Sequence, residues 1–171
     1  SGGITRAGMA IAKACYDTLR KYGKAAIAAC ENNVVTPALD AIIEATVYLS
    51  GVGADNVNCA APHSFYNGVT SLGGHEAYHG NCVAFGTLIQ LTLECADKAE
   101  FEDIQNFCIE VGLPITLAEL GDFTDEDLHT IAKNACVKGE TIHNLAGDVT
   151  PDELYAAIIA TDALGKARLG K

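Results

Sequence analysis

The stretch from Gly80 to Cys95, centred on Val83-Ala-Phe-Gly-Thr-Leu-Ile-Gln-Leu-Thr-Leu93, constrains the fold of this chain most. It is apolar on nearly every side of a helical wheel, which implies burial between neighbouring helices instead of one face on a surface. Period 3.6 dominates almost every other segment, and no convincing strand alternation, internal repeat or low-complexity tract appears. The pattern predicts an all-α fold, a multi-helix bundle with residues 80–95 as its core helix.

Local signals place the other helices. A first helix over 5–22 puts Met9, Ala12, Tyr16 and Leu19 on one stripe; Gly23 is expected to interrupt it, with a short apolar piece over 24–30. Thr36-Pro37 is an N-cap followed by proline at the first helical position, where the missing N–H is harmless, and predicts a helix through 38–49. Residues 50–56 (Ser-Gly-Val-Gly-Ala-Asp-Asn) read as a break, and residues 57–72 as a helix rich in small residues. Gly73-Gly74 reads as a turn. Further helices are expected over 101–111, over 124–137 behind an acidic N-terminus, and after the capping box Thr150-Pro-Asp-Glu153, with a single turn over 116–120.

At 171 residues one domain over 4–171 is expected, burying about 68–70% of its unfolded surface. Ser1-Gly2-Gly3 carries no initiator methionine and is read as a tag scar or truncation point. With 22 acidic against 11 basic residues and a net charge of −11, nucleic acid and anionic membranes are not expected as partners. The cysteines at 15, 30, 59, 82, 95, 108 and 136 form no C-x-x-C pair and leave an odd one over. They suit reduced, buried thiols in a cytoplasmic protein better than a zinc ribbon or a disulfide framework.

Three of the five histidines, His63, His75 and His79, precede or open the core helix. Neutral imidazole is the commonest metal ligand, so a divalent-metal site is the first functional hypothesis. His75-Glu-Ala-Tyr-His79 matches the zinc-peptidase pattern H-E-x-x-H, with Glu94 as a conceivable third ligand. That chemistry needs both histidines inside one helix, whereas glycines flank the segment on both sides. The other pairing joins His63 to His79, with the Gly73-Gly74 turn letting them face each other. Gly51-Val-Gly53 lacks the third glycine and the preceding strand of a dinucleotide fingerprint. His143 is a further ligand or a cap; His129, mid-helix among acids, is expected to be solvated.

Several segments, in order along the chain, carry a resemblance: Val34-Val-Thr-Pro-Ala-Leu39, Tyr48-Leu-Ser-Gly-Val-Gly53, Ala60-Ala-Pro-His63, Asn67-Gly68, Tyr78-His79-Gly80, Val83-Ala-Phe-Gly-Thr-Leu88, Val111-Gly-Leu-Pro114 and Gly139-Glu-Thr-Ile-His-Asn144. Together they resemble the C-terminal half of the glycerol dehydrogenase family, in the polyol branch of the iron-containing alcohol dehydrogenases with their dehydroquinate-synthase-like fold. The resemblance implies a helical C-terminal metal-binding domain, an N-terminal NAD-binding domain absent from these residues, and zinc-assisted oxidation of glycerol to dihydroxyacetone. It implies His63 and His79 as metal ligands, with zinc, iron or another divalent ion held by them and by one aspartate. Neither Asp17 nor Asp40 has the surroundings expected of that aspartate. It further implies a polyol substrate and no activity from this segment alone, and the apolar face that such a segment would expose predicts a homo-oligomer.

The family's usual His-Gly-Glu-Lys reads here His79-Gly80-Asn81-Cys82, which makes Cys82 a possible soft donor. Tyr66 stands where a second histidine is common. Two alternatives stand beside the enzyme reading, a stand-alone helical oligomerisation or partner module and the H-E-x-x-H peptidase.

Overall fold

The computed structural model describes residues 4–74 and 77–170, and among these there is no β-strand. The chain divides into two compact units, Ser1–Asn58 and Cys59–Lys171. The helical expectation holds in both.

In the first unit, α1 (Arg6–Glu31) starts on Thr5, whose hydroxyl accepts from Gly8 N at 3.0 Å. Gly23 does not interrupt it. An interior glycine costs a helix only about 1 kcal/mol relative to alanine, and α1 has 26 residues over which to absorb that. The expected stripe is displaced: Met9 and Tyr16 are exposed, while Gly8, Ala26 and Ala29 are buried. A Cβ on Gly8 would lie 2.7 Å from Asn56 Cβ, so the helix Ser50–Val57 packs at glycine distance there.

After Thr36 caps α2 (Pro37–Glu44), residues Ala45–Leu49 form a π-helical turn in which Ser50 N donates to Ala45 O, five residues back. The chain continues directly as α3 (Ser50–Val57), against the expectation of a break over 50–56. Of the two glycines there, Gly53 acts in packing, buried beside the α1 backbone at Ala12, while Gly51 is exposed with open space around it. The true stop comes at Asn58, which adopts φ 63°.

The second unit holds the large core. Its helices are α4 (Ala61–Thr70), α5 (His79–Leu93), α6 (Lys98–Glu110), α7 (Asp125–Ala135) and α8 (Pro151–Leu169), with 3-10 turns at Leu117–Glu119 and Thr141–Asn144. As its all-round apolar character requires, α5 is central, burying Cys82, Phe85, Gly86, Leu88 and Ile89. Phe65, Val69, Ile131, Ile142, Leu154 and Ile158 close the core around it from α4, α7, the second 3-10 turn and α8. Helix α4 begins at Ala61, four residues later than its apolar pattern suggests. Gly73 and Gly74, both at positive φ, make the turn between α4 and α5. The capping boxes at Thr124 and Thr150 open α7 and α8. Asp162, buried on α8, accepts from Leu117 N at 2.8 Å and meets Lys166 Nζ at 2.6 Å, tying the first 3-10 turn to that helix.

Candidate metal centre

His63 occupies the third position of α4 and His79 the first position of α5. The turn between these helices returns the chain so that the two rings stand 5.3 Å apart, centroid to centroid, tilted by 57°. Tyr66, one helical turn beyond His63, presents an edge-to-face contact to His79 at 4.4 Å. The position read as a substituted histidine thus packs against the second imidazole.

Burial, and after it the neighbouring His79 ring, holds His63 below the ordinary imidazole range. The neutral form presents an unprotonated nitrogen, the state a metal ligand needs. His129 Nδ1 and His143 Nε2 are engaged by the Asp125 and Val137 carbonyls, whereas no hydrogen bond to a described residue occupies the ring nitrogens of His63 or His79. His63 is half-buried and His79 exposed, so the pair lines an open site. Two converging imidazoles on one side and open space on the other fit a divalent metal as a partial shell.

Among the described residues no group of three or more His, Cys, Asp or Glu side chains completes such a shell. Asp17 is paired with Lys13 at 2.8 Å on α1, and Asp40 lies in the first turn of α2. Glu94 caps the far end of α5, about 22 Å along the helix at 1.5 Å per residue, and accepts from Gln90 at 3.0 Å. It cannot join His79 on one ion.

The H-E-x-x-H reading fails on the helix boundary: α5 begins at His79, and Ala77 and Tyr78 are not helical. His75 and Glu76 themselves lie outside the described residues. Cys82 is fully buried in the core, and that burial pushes its thiol up, away from the thiolate a metal would need. His143 closes its own loop through the Val137 carbonyl at 3.2 Å. His129 is not simply solvated, because it stacks on Tyr155 at 4.0 Å.

Sequence reasoning missed what holds α4 in place. Ala60, at the N-cap, makes no side-chain capping bond, and Pro62 contributes no N–H. The 3-10 turn Thr141–Asn144 takes over: Thr141 Oγ1 donates to Ala60 O at 2.8 Å, Asn144 Nδ2 to Cys59 O at 2.7 Å, and Ile142 N to Ser64 Oγ at 2.7 Å. Asn67 Nδ2 reaches back to Glu140 at 2.9 Å. The only signal in the sequence is Gly139-Glu-Thr-Ile-His-Asn144 as a segment of the resemblance, where Thr141 and Asn144 have no local pattern that marks them.

The fold is that of the helical C-terminal domain of the glycerol dehydrogenase class. A crystal structure of a probable glycerol dehydrogenase from Sinorhizobium meliloti 1021 superposes with a TM-score of 0.91 at 42% identity, over 95% of this chain and 47% of that one. In sequence the chain is 47% identical over 168 residues to the glycerol dehydrogenase of Escherichia coli O6:H1, covering 96% of this chain and 46% of that protein. It is 44% identical over 168 residues to a glycolaldehyde reductase of Halobacterium salinarum, again over 96% and 46%. No family model matches the chain. The chain spans about half the length of the relatives it matches, and it corresponds to their C-terminal domain.

Proposed function

We propose that this chain is the metal-binding half of an NAD-dependent glycerol dehydrogenase, oxidising glycerol to dihydroxyacetone, with His63 and His79 as two of the metal ligands. The observation that carries the reading is the convergence of these two imidazoles from separate helices, in a chain 47% identical to a glycerol dehydrogenase. Zinc is the ion assigned; iron or another divalent ion suits two nitrogen donors as well. An aspartate and the NAD site come from residues outside this chain, so the segment alone is inactive. No Gly-rich turn after a strand exists among the described residues to hold a dinucleotide.

A divalent ion supplies Lewis acidity that makes a substrate hydroxyl easier to deprotonate. His63 and His79 contribute neutral nitrogens and no charge, leaving the ion's positive field undiminished towards the substrate. Tyr66 restrains the His79 ring from the side. The exposed face of His79 leaves room for a vicinal diol or a related small hydroxy-carbonyl compound, the class that glycerol and glycolaldehyde share.

Metal analysis tests the site directly. His63→Ala and His79→Ala are each expected to lose most of the zinc that the wild-type chain retains after dialysis, read as moles of metal per mole of protein. Equal, stoichiometric metal in both variants overturns the assignment. Mixing the chain with a separately produced NAD-binding domain is expected to generate glycerol-dependent NADH, which neither part produces by itself.

A further inference from the structure

We infer that the 3-10 turn Thr141–Asn144 is a strap that positions His63, with Thr141 as its key residue; this rests on the metal-site reading above. Its polar contacts bracket the histidine. Two fall just before it, on the Cys59 and Ala60 carbonyls, and two just after it, both on the Ser64 hydroxyl; Glu140, which precedes the turn, adds a bond from Asn67. The partners are 73 to 85 residues apart in sequence, so the strap joins the end of α4 that carries a ligand to a distant part of the second unit.

The donor count gives the strap a direction. Thr141 has one hydroxyl proton, and the Ala60 carbonyl can only accept it. The 3.0 Å contact between Ser64 Oγ and Thr141 Oγ1 must then use the Ser64 proton, and Ser64 Oγ accepts from Ile142 N. The result is one relay: Ile142 N–H to Ser64 O–H to Thr141 O–H to Ala60 carbonyl. Each link polarises the next, so the relay is stiffer than independent contacts. Ile142, fully buried between the two polar residues, plugs the strap into the core. His63 lies between Ala60, the N-cap of α4, and Ser64 within that helix, both members of the same relay. It has no hydrogen bond of its own to a described residue, so its direction follows from the backbone the strap holds.

Thr141→Val keeps the shape and removes the relay; Thr141→Ser keeps the hydroxyl. Thr161→Val, which removes the buried Thr92–Thr161 contact of 2.8 Å in the same unit away from the histidines, controls for general loss of stability. Zinc affinity, measured by competition with a chromogenic chelator, is expected to fall about tenfold in Thr141→Val, at the lower end of the usual cost of disturbing a ligand's supporting contacts. It should return to within about twofold in Thr141→Ser and stay at the wild-type level in Thr161→Val.

A metal-free measurement runs beside it. The proton NOE between the His63 and His79 rings is expected to be lost in Thr141→Val and kept in Thr161→Val. Wild-type affinity and an intact NOE in Thr141→Val, or equal losses in Thr161→Val, overturn the strap. If the wild-type chain binds no zinc, the metal reading falls while the NOE still decides the strap.

Discussion

At the scale of single residues, the site depends on one atom that is missing. Gly86 on α5 faces the start of α4, and a Cβ there would lie 2.7 Å from Pro62 Cα, the residue before His63. Backbone cannot yield as a flexible side chain could, so Gly86→Ala has to push the start of α4 away from α5 next to His63. Overpacking of this kind costs about 1–3 kcal/mol. Gly80 lies on the same helix with nothing within 4 Å of a built Cβ. Gly80→Ala there removes only unfolded-state freedom and is expected to be neutral or to stabilise by up to about 1 kcal/mol. Urea unfolding of the two variants is expected to give opposite signs; similar destabilisation in both would show that α5 resists alanine for reasons other than the α4 approach.

At the scale of elements, helix ends were the most legible part of the sequence and helix interiors the least. Thr36, Thr124 and Thr150 cap helices as their local chemistry predicts, and Thr5 caps the first helix it was expected to open. The cap on α8 has a pH signature. The Thr150 N–H and hydroxyl hold the Glu153 carboxyl below the usual carboxylate range. A carboxyl depressed in the folded state stabilises fully above its unfolded pKa, and that contribution disappears as pH falls through the folded value. Between about pH 5 and pH 3, wild type should therefore lose more thermal stability than Glu153→Gln. Parallel melting curves for the two proteins across that range would remove Glu153 as a pH-dependent cap.

The interiors failed where glycine was taken as punctuation. The chain through 50–56 stays helical because Gly53 fits against the α1 backbone at Ala12, while Thr46 and Ser50 only back-bond to carbonyls four residues earlier around the π turn. The packing of Gly53 on α1 has no local signature. The same holds for the site. His63 and His79 were named through resemblance, and spacing alone left two histidine pairings open. Their supporting relay spans 77 to 81 residues between Ser64 or Ala60 and the second 3-10 turn, and its side chains are ordinary Ser and Thr residues that any loop contains.

At the scale of the whole molecule, the two units are unequally finished. The largest fully buried side chains, from Phe65 to Thr161, all belong to the second unit, whereas among the described residues the first buries only Gly8, Ala26, Ala29, Ala45 and Gly53. Eight of the thirteen exposed large apolar side chains, Ile4, Met9, Tyr16, Val34, Val35, Ile43, Val47 and Tyr48, sit on its roughly one-third of the chain. A unit that small, with that much apolar surface uncovered, is marginal by itself and gains most from covering it.

We therefore expect the chain to self-associate through the first unit, with a concentration-dependent sedimentation coefficient. Val47 and Tyr48, 78% and 61% exposed on the π turn, are the residues to change. Fully burying a side chain of the Val class contributes about 1.5–3 kcal/mol, so Val47→Glu with Tyr48→Ser should weaken association by about tenfold or more. The helices of the second unit should be unaffected, as circular dichroism would report. A wild-type chain that sediments as a monomer at every concentration refutes this. Association that survives the double substitution but is abolished by changing Ile159 and Leu164 would move the contact to α8.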